Sequence, residues 1–342
     1  MNHKTGKIYI LVLLTLAMML SVIPLTVLAA PASPFAGGDG SPESPYQVAD
    51  QTQLDAVRGY LNACFVQVND ITIDMADWTP IGSIATPLTG SYDGDSYNIK
   101  GLKINATASS DSPTVLGLFG VVGNNGIISN VHLEDVDIDA TSGNGHFESF
   151  IGGLAGANLG TITGCSVTAT LDVSAYDIAA GGLVGSVGGF QQIGYDPGTI
   201  TDCTSDCILN VAVEYQTGHT GGLVGEVFTA GSSINNSISS GTVICMGDSD
   251  DNATGSTAGG LIGYAGGGND TGVEIVNCGS SCAVYAIHAR SQANAGGLIG
   301  CVFGKCIISD CTGAGDVEAS GSTSSAGVQV DASGLIGWIS SS

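Results

Sequence analysis

The sequence predicts an all-β fold, a parallel β-helix (β-solenoid) of about one three-stranded coil per ~37-residue repeat, and three observations carry that prediction. The first is a motif that occurs seven times. It runs Gly117-Leu118-Phe119-Gly120, Gly152-Gly153-Leu154-Ala155-Gly156, Gly181-Gly182-Leu183-Val184-Gly185, Gly221-Gly222-Leu223-Val224-Gly225, Gly259-Gly260-Leu261-Ile262-Gly263, Gly296-Gly297-Leu298-Ile299-Gly300 and Gly334-Leu335-Ile336-Gly337. The second is a set of short β-branched segments between the motifs, such as Ile162-Thr163, Ile200-Thr201 and Ile275-Val276, each followed by a looser alternating stretch such as Leu171-Asp172-Val173 or Val211-Ala212-Val213. The third is the lack of helical spacing in a chain with 53 glycines among 342 residues, a content that makes helices costly.

The leucines are spaced 36, 29, 40, 38, 37 and 37 residues apart. Near-constant spacing with variable loops describes one supersecondary unit stacked on itself. Equal positions then lie about 4.8 Å apart along the axis and form ladders. Leu118, Leu154, Leu183, Leu223, Leu261, Leu298 and Leu335 are expected to line the core of one wall. The next residue is also apolar in every copy: Phe119, Ala155, Val184, Val224, Ile262, Ile299 and Ile336. Since neighbours on a strand point to opposite faces, this second ladder is expected under a covering layer of loops, or exposed as an apolar stripe.

Three regions follow. Residues 1–30 read as an export signal or N-terminal anchor: Lys4 and Lys7 precede the apolar run Ile8 to Leu20, and Val27-Leu28-Ala29 suits cleavage. Residues 36–104 lack the repeat and read as an N-terminal cap with the first coil or coils, including a short amphipathic helix from Thr52 to Leu61. Such a cap closes an otherwise open sheet edge. Residues 105–339 carry the repeats.

Formal charge is 7 − 31 = −24 at pH 7, and only five cations lie outside the leading segment. A row of phosphates would go unneutralised, so nucleic acid is excluded as a partner, as is an anionic membrane surface. Acidity favours cations instead. Asp248, Asp250 and Asp251 form a weak candidate for calcium, without the liganding glutamate of an EF-hand. No other cofactor is implied.

Cys165, Cys203, Cys278 and Cys311 share one repeat position, with Ser237 between the two pairs. Consecutive rungs lie within the Cα range of a disulfide, so Cys165 with Cys203 and Cys278 with Cys311 can bridge coils, or remain as buried thiols.

The Gly-Gly-Leu-Val-Gly units resemble the GLUG-motif repeats of bacterial and archaeal surface proteins, which include adhesins and also accompany IgA-specific metallopeptidases. The leading stretch resembles the segment that precedes such arrays, from Asp39-Gly40-Ser41 through Trp78-Thr79-Pro80-Ile81-Gly82 to Ile99-Lys100-Gly101-Leu102. The resemblance implies a surface-displayed solenoid, not a particular activity, because such a scaffold serves many functions.

Catalytic motifs are absent from the sequence. The five histidines form no His-Glu-x-x-His pair, and neither a Gly-x-Ser-x-Gly elbow nor a phosphate-binding Gly-x-x-x-x-Gly-Lys is present. Asp135, Asp137 and Asp139 alternate on one strand and read as a solvated acidic face or, less simply, as carboxylates of a polysaccharide-cleaving site. The reading is therefore a non-catalytic, exported, extracellular or cell-surface solenoid that binds a glycan or protein ligand. A passive stalk and a carbohydrate-active enzyme are the alternatives. The last coil follows the seventh motif with only Trp338 to close it, so end-to-end or side-by-side self-association is also expected.

Overall fold

The computed structural model describes residues 33–107, 113–141, 148–189, 195–247, 255–267, 271–288, 291–321 and 329–340. The leader read in residues 1–30 and the calcium candidates Asp248, Asp250 and Asp251 lie outside them.

The chain winds into a parallel β-solenoid with one turn per repeat. Ala155 pairs with Val184, Val184 with Val224, Val224 with Ile262 and Ile262 with Ile299, each on the next coil. Each coil has four strand segments where three were expected. In one coil they are Thr161–Thr163, Ser166–Ala175, Asp177–Gly181 and Val184–Val187, which we call the first to fourth walls. The extra strand arises because the glycine motif is itself a bend that splits what reads as one apolar segment. Stacked rungs give sheets of nine, eleven, seven and seven strands for these walls.

The leucine ladder is the centre of the core. Leu118, Leu154, Leu183, Leu223, Leu261 and Leu298 are fully buried, whereas Leu335 on the last described coil is 41% exposed. Its neighbour ladder is buried too, but not beneath a separate loop layer. Leu154 and Ala155, like Leu183 and Val184, belong to one continuous core, because the bend turns both inward. A small second cluster of Val121, Phe150, Ala157, Leu159 and Ala179 sits where the third and fourth walls face each other outside that core.

The glycines allow this bend. A methyl group on Gly225 would lie 2.5 Å from Ala180 N and 2.6 Å from Gly185 O, both backbone atoms of the preceding coil. No L-residue side chain fits there without moving the main chain.

Between the first and second walls the chain turns through a left-handed residue in every repeat. Asn130, Gly164, Asp202, Asn236, Asn277 and Asp310 have φ between 49° and 65°. Asn and Asp tolerate this region better than other side chains. The corner directs the following residue inward, which buries Val131, Cys165, Cys203, Ser237 and Cys278. Asn side chains also stitch coils, with Asn277 Nδ2 donating to Asn236 Oδ1 at 2.8 Å.

The expected cap helix is present as Gln51–Ala56, extended by a 3-10 turn at Val57–Gly59. Asp50 Oδ1 accepts from Gln53 N at 2.9 Å and Gln53 Oε1 accepts from Ala49 N at 2.8 Å, a reciprocal cap. Leu54 and Val57 are fully buried at the start of the core. Along the first wall the aromatic rings Tyr46, Phe65 and Tyr92 occupy successive rungs before isoleucines take over at Ile128 and Ile162. Trp78 is also buried, and its indole N–H donates to Leu118 O at 3.1 Å. Ile81 and Leu88 bridge in parallel to Phe119 and Val122, so this segment stands as the rung before the first motif. Arg58 fastens it by donating to Thr79 O at 2.9 Å. Among the described residues, no helix is long and apolar enough to cross a membrane.

Candidate functional site

Two surface features offer chemistry. The first is a groove on the second wall. The long strand there is broken by a register shift between Leu133 and Val136, by Asp135 at φ 56° and by Gly241 at φ 106°. The same wall carries an open groove of about 520 Å³ across several coils. Ser166, Thr168, Thr204, Asp206, Ser240 and Thr312 line it, with exposed Ile238 among them. Ser240 Oγ donates to Asp206 Oδ1 at 3.0 Å. A smaller hollow that reaches Asp135 shares Thr168 and Asp206 with it. The surface is thus a rank of hydroxyls with one or two carboxylates and an apolar patch.

The second feature is a notch between the outer faces of the third and fourth walls. Phe150, Ala179 and His219 stack on the third wall, and Ala157, Ser186, Glu226 and Tyr264 stack on the fourth. His219 Nδ1 lies 3.2 Å from Glu226 Oε2, and Ser186 Oγ donates to Glu226 Oε1 at 3.0 Å. The Tyr264 ring of the next coil stacks on His219 at 4.6 Å. At the mouth, Glu148 and Asp177 are opposite one another on successive rungs.

Charges in this notch are poorly solvated and mostly of one sign. Desolvation raises the Asp177 carboxyl to about 6; His219 opposes the rise and Glu226 adds to it. Desolvation, then Glu226 and Asp177, raise Glu148 to about 7. Glu148 keeps contact with water, so the half-buried Asp177 is the more firmly shifted of the two. Burial also pushes the Tyr264 hydroxyl up to about 12. Groups that titrate near neutrality in a cleft are suited to proton exchange. Ser186, however, bonds the carboxylate and not the imidazole, so this is not a serine-nucleophile triad. Among the described residues no group of three or more His, Cys, Asp or Glu is placed to hold a metal ion.

The notch was not foreseen in the sequence. Its members are scattered from residue 148 to residue 264 and match no motif. Aligning repeats on the leucines supplies a partial signal: His219 and Glu226 stand at the rungs of Phe150 and Ala157, so charge replaces the apolar residues of an earlier coil, although later rungs carry Thr257, Asn294 and Asp331.

Other candidate residues fall as follows. Asp137 and Asp139 point to solvent on the second wall, and Asp137 pairs with Lys103 Nζ at 3.8 Å. Asp135 sits in the register shift and lines the smaller hollow instead of continuing their row. Cys165 and Cys203 stack on successive coils as thiols, as do Cys278 and Cys311. Cys165 Sγ and Cys203 Sγ approach the carbonyls two residues before them, at 3.3 and 3.2 Å.

Comparison with known proteins places these features in context. No family model matches the chain. A glycine-rich membrane protein of Evansella cellulosilytica is 36% identical over 146 residues, which are 40% of this chain and 16% of that protein. Halomucin of Haloquadratum walsbyi is 30% identical over 164 residues, 44% of this chain and 2% of halomucin. The chain thus spans less than a fifth of either relative's length. A crystal structure described as an immunoglobulin A1 protease from Bacteroides ovatus superposes with a TM-score of 0.58 at 20% identity, covering 90% of this chain and 87% of that one. At that identity the likeness concerns the fold: this chain is a parallel β-solenoid of the kind found in that protein.

Proposed function

We propose that the protein is an exported β-solenoid displayed at the cell surface, where the groove of its second wall acts as an adhesin-like binding face for an extracellular glycan or protein. The groove is the observation that carries this reading. Ser166, Thr204, Asp206 and Ser240 offer donors and acceptors in ladder register, and Ile238 offers an apolar contact. That combination complements the hydroxyls and C–H faces of a polar polymer laid across the coils. The strongly negative chain disfavours anionic ligands. Names of the relatives, a membrane protein and a halomucin, support a place at the surface.

A glycan and extracellular-matrix array probed with the purified chain, with and without calcium, tests the reading. Saturable binding that is lost on Asp206→Ala and Ser240→Ala supports it, and calcium dependence points to Asp248, Asp250 and Asp251. Silence across the array from an intact solenoid favours a passive structural role.

The notch supports a second reading, a carbohydrate-active enzyme in which Glu148, Asp177 or Glu226 handles protons. Polysaccharide cleavage abolished by Asp177→Asn and Glu226→Gln would establish it.

A further inference from the structure

The left-handed corner between the first and second walls puts cysteines in direct register. Thr163 pairs with Thr201 and Ser166 with Thr204, which sets Cys165 opposite Cys203. Val276 pairs with Ser309 and Gly279 with Thr312, which sets Cys278 opposite Cys311. A rung spacing of about 4.8 Å lies inside the Cα separation that a disulfide spans. In both pairs the corner turns the side chains to the same side of the coil. The Cys165 and Cys203 thiols lie close enough to perturb each other's ionisation, and Cys278 N donates to Cys311 Sγ at 3.4 Å.

The rungs on either side make the partners unique. Val131 precedes the first pair and Ser237 separates it from the second. Ser237 Oγ takes the place of a sulfur there, accepting from Cys203 N at 3.2 Å. Other cysteines with a register partner face something else: Cys64 faces Ser91, Cys207 faces Ala169 and Gly241, Cys245 faces Val211 and Ala286, Cys301 faces Tyr264 and Trp338, and Cys306 faces Val273.

We infer that Cys165–Cys203 and Cys278–Cys311 are paired sites of disulfide formation, two covalent staples that lock neighbouring coils when the chain folds with a disulfide-bearing oxidant. Either thiol of the first pair can lead, and the balance is the same. The Cys203 thiolate attacks one sulfur of the oxidant's disulfide; the new S–S bond forms, the oxidant's bond breaks, and one thiolate leaves. Cys165 then gives up its proton to that thiolate and attacks the Cys203 sulfur. The second oxidant thiolate departs and takes the proton released when Cys203 ionised. Two protein thiols are oxidised and one oxidant disulfide is reduced. Both sulfurs are buried in the finished coil, so the exchange belongs to the stage before the next coil closes over them.

The test refolds the full chain in a mixture of reduced and oxidised glutathione, then alkylates under denaturant without reduction and maps the peptides. Six alkylated cysteines are expected, with crosslinked peptides joining 165 to 203 and 278 to 311. Ten alkylated thiols, or a different pairing such as Cys301 with Cys306, would overturn the inference. Cys165→Ser is expected to expose Cys203 as a seventh alkylated thiol while the second crosslink persists. Ser237→Cys is expected to divide the Cys203 crosslink between positions 165 and 237; an unchanged map from that variant would also count against register as the selector. The mapping of the unaltered chain stands by itself if a variant does not fold.

Discussion

His219 lies flat against Tyr264 of the following coil, ring centroids 4.6 Å apart and planes 18° from parallel. The contact closes one side of the notch and holds the imidazole edge toward Glu226. His219 lowers both Asp177 and Glu148 against the repulsion of their acidic neighbours.

Acids raised in the folded state bind more protons there than in the unfolded chain, so folding is strengthened as pH falls and weakened as pH rises. Asp177 moves from 3.8 to about 6, and Glu148 from 4.5 to about 7. Thermal midpoints are expected to drop between pH 5 and pH 8. Asp177→Asn is expected to flatten that slope and to stabilise the protein at pH 8 by about 1–2 kcal/mol, less than full linkage because the group is half-exposed. Differential scanning calorimetry across this range checks both.

Main-chain packing at the motif makes its third glycine indispensable. Gly225→Ala would press a methyl between Ala180 N and Gly185 O, and is expected to cost about 3 kcal/mol or more, or to abolish folding. Gly59→Ala, where a methyl meets nothing within 4 Å, is expected to be neutral or slightly stabilising. Urea titration of the two variants separates them.

One ladder predicts two different costs. Leu223→Ala removes a fully buried side chain and is expected to cost about 3–5 kcal/mol, whereas Leu335→Ala, at 41% exposure, is expected to cost about 1 kcal/mol or less. Equal losses would contradict the burial gradient along the axis.

The left-handed corner offers a cleaner contrast. Asp202 has φ 56°, so Asp202→Ala is expected to cost about 1–2 kcal/mol and Asp202→Gly close to nothing. Chemical denaturation of the pair measures the difference.

Much of this architecture was legible in the residues. Seven leucines at a steady interval give one coil per repeat, because a hydrophobic position can recur in register only if each turn stacks on the last. The helix around Leu54 and Val57 was legible from its apolar spacing. The fourth strand was not, since strand alternation was carried straight through Leu154 and Ala155 where the glycines in fact turn the chain. On an unbent strand Ala155 would need a second covering layer. The notch is hidden for the same reason. Only the bend makes the third and fourth walls face one another, and only then do His219 and Glu226, seven residues apart, come within 3.2 Å.

Six turns separate Leu118 from Leu335, and at about 4.8 Å per turn they advance the chain by about 29 Å. An extended segment of the same 217 residues, 335 − 118, would reach more than twenty times as far. The coil therefore trades reach for breadth: it converts chain into four broad flanks on which equivalent positions stack about 4.8 Å apart. Each position of the outer surface thus returns once per turn, one rung above its equivalent, in a column parallel to the axis.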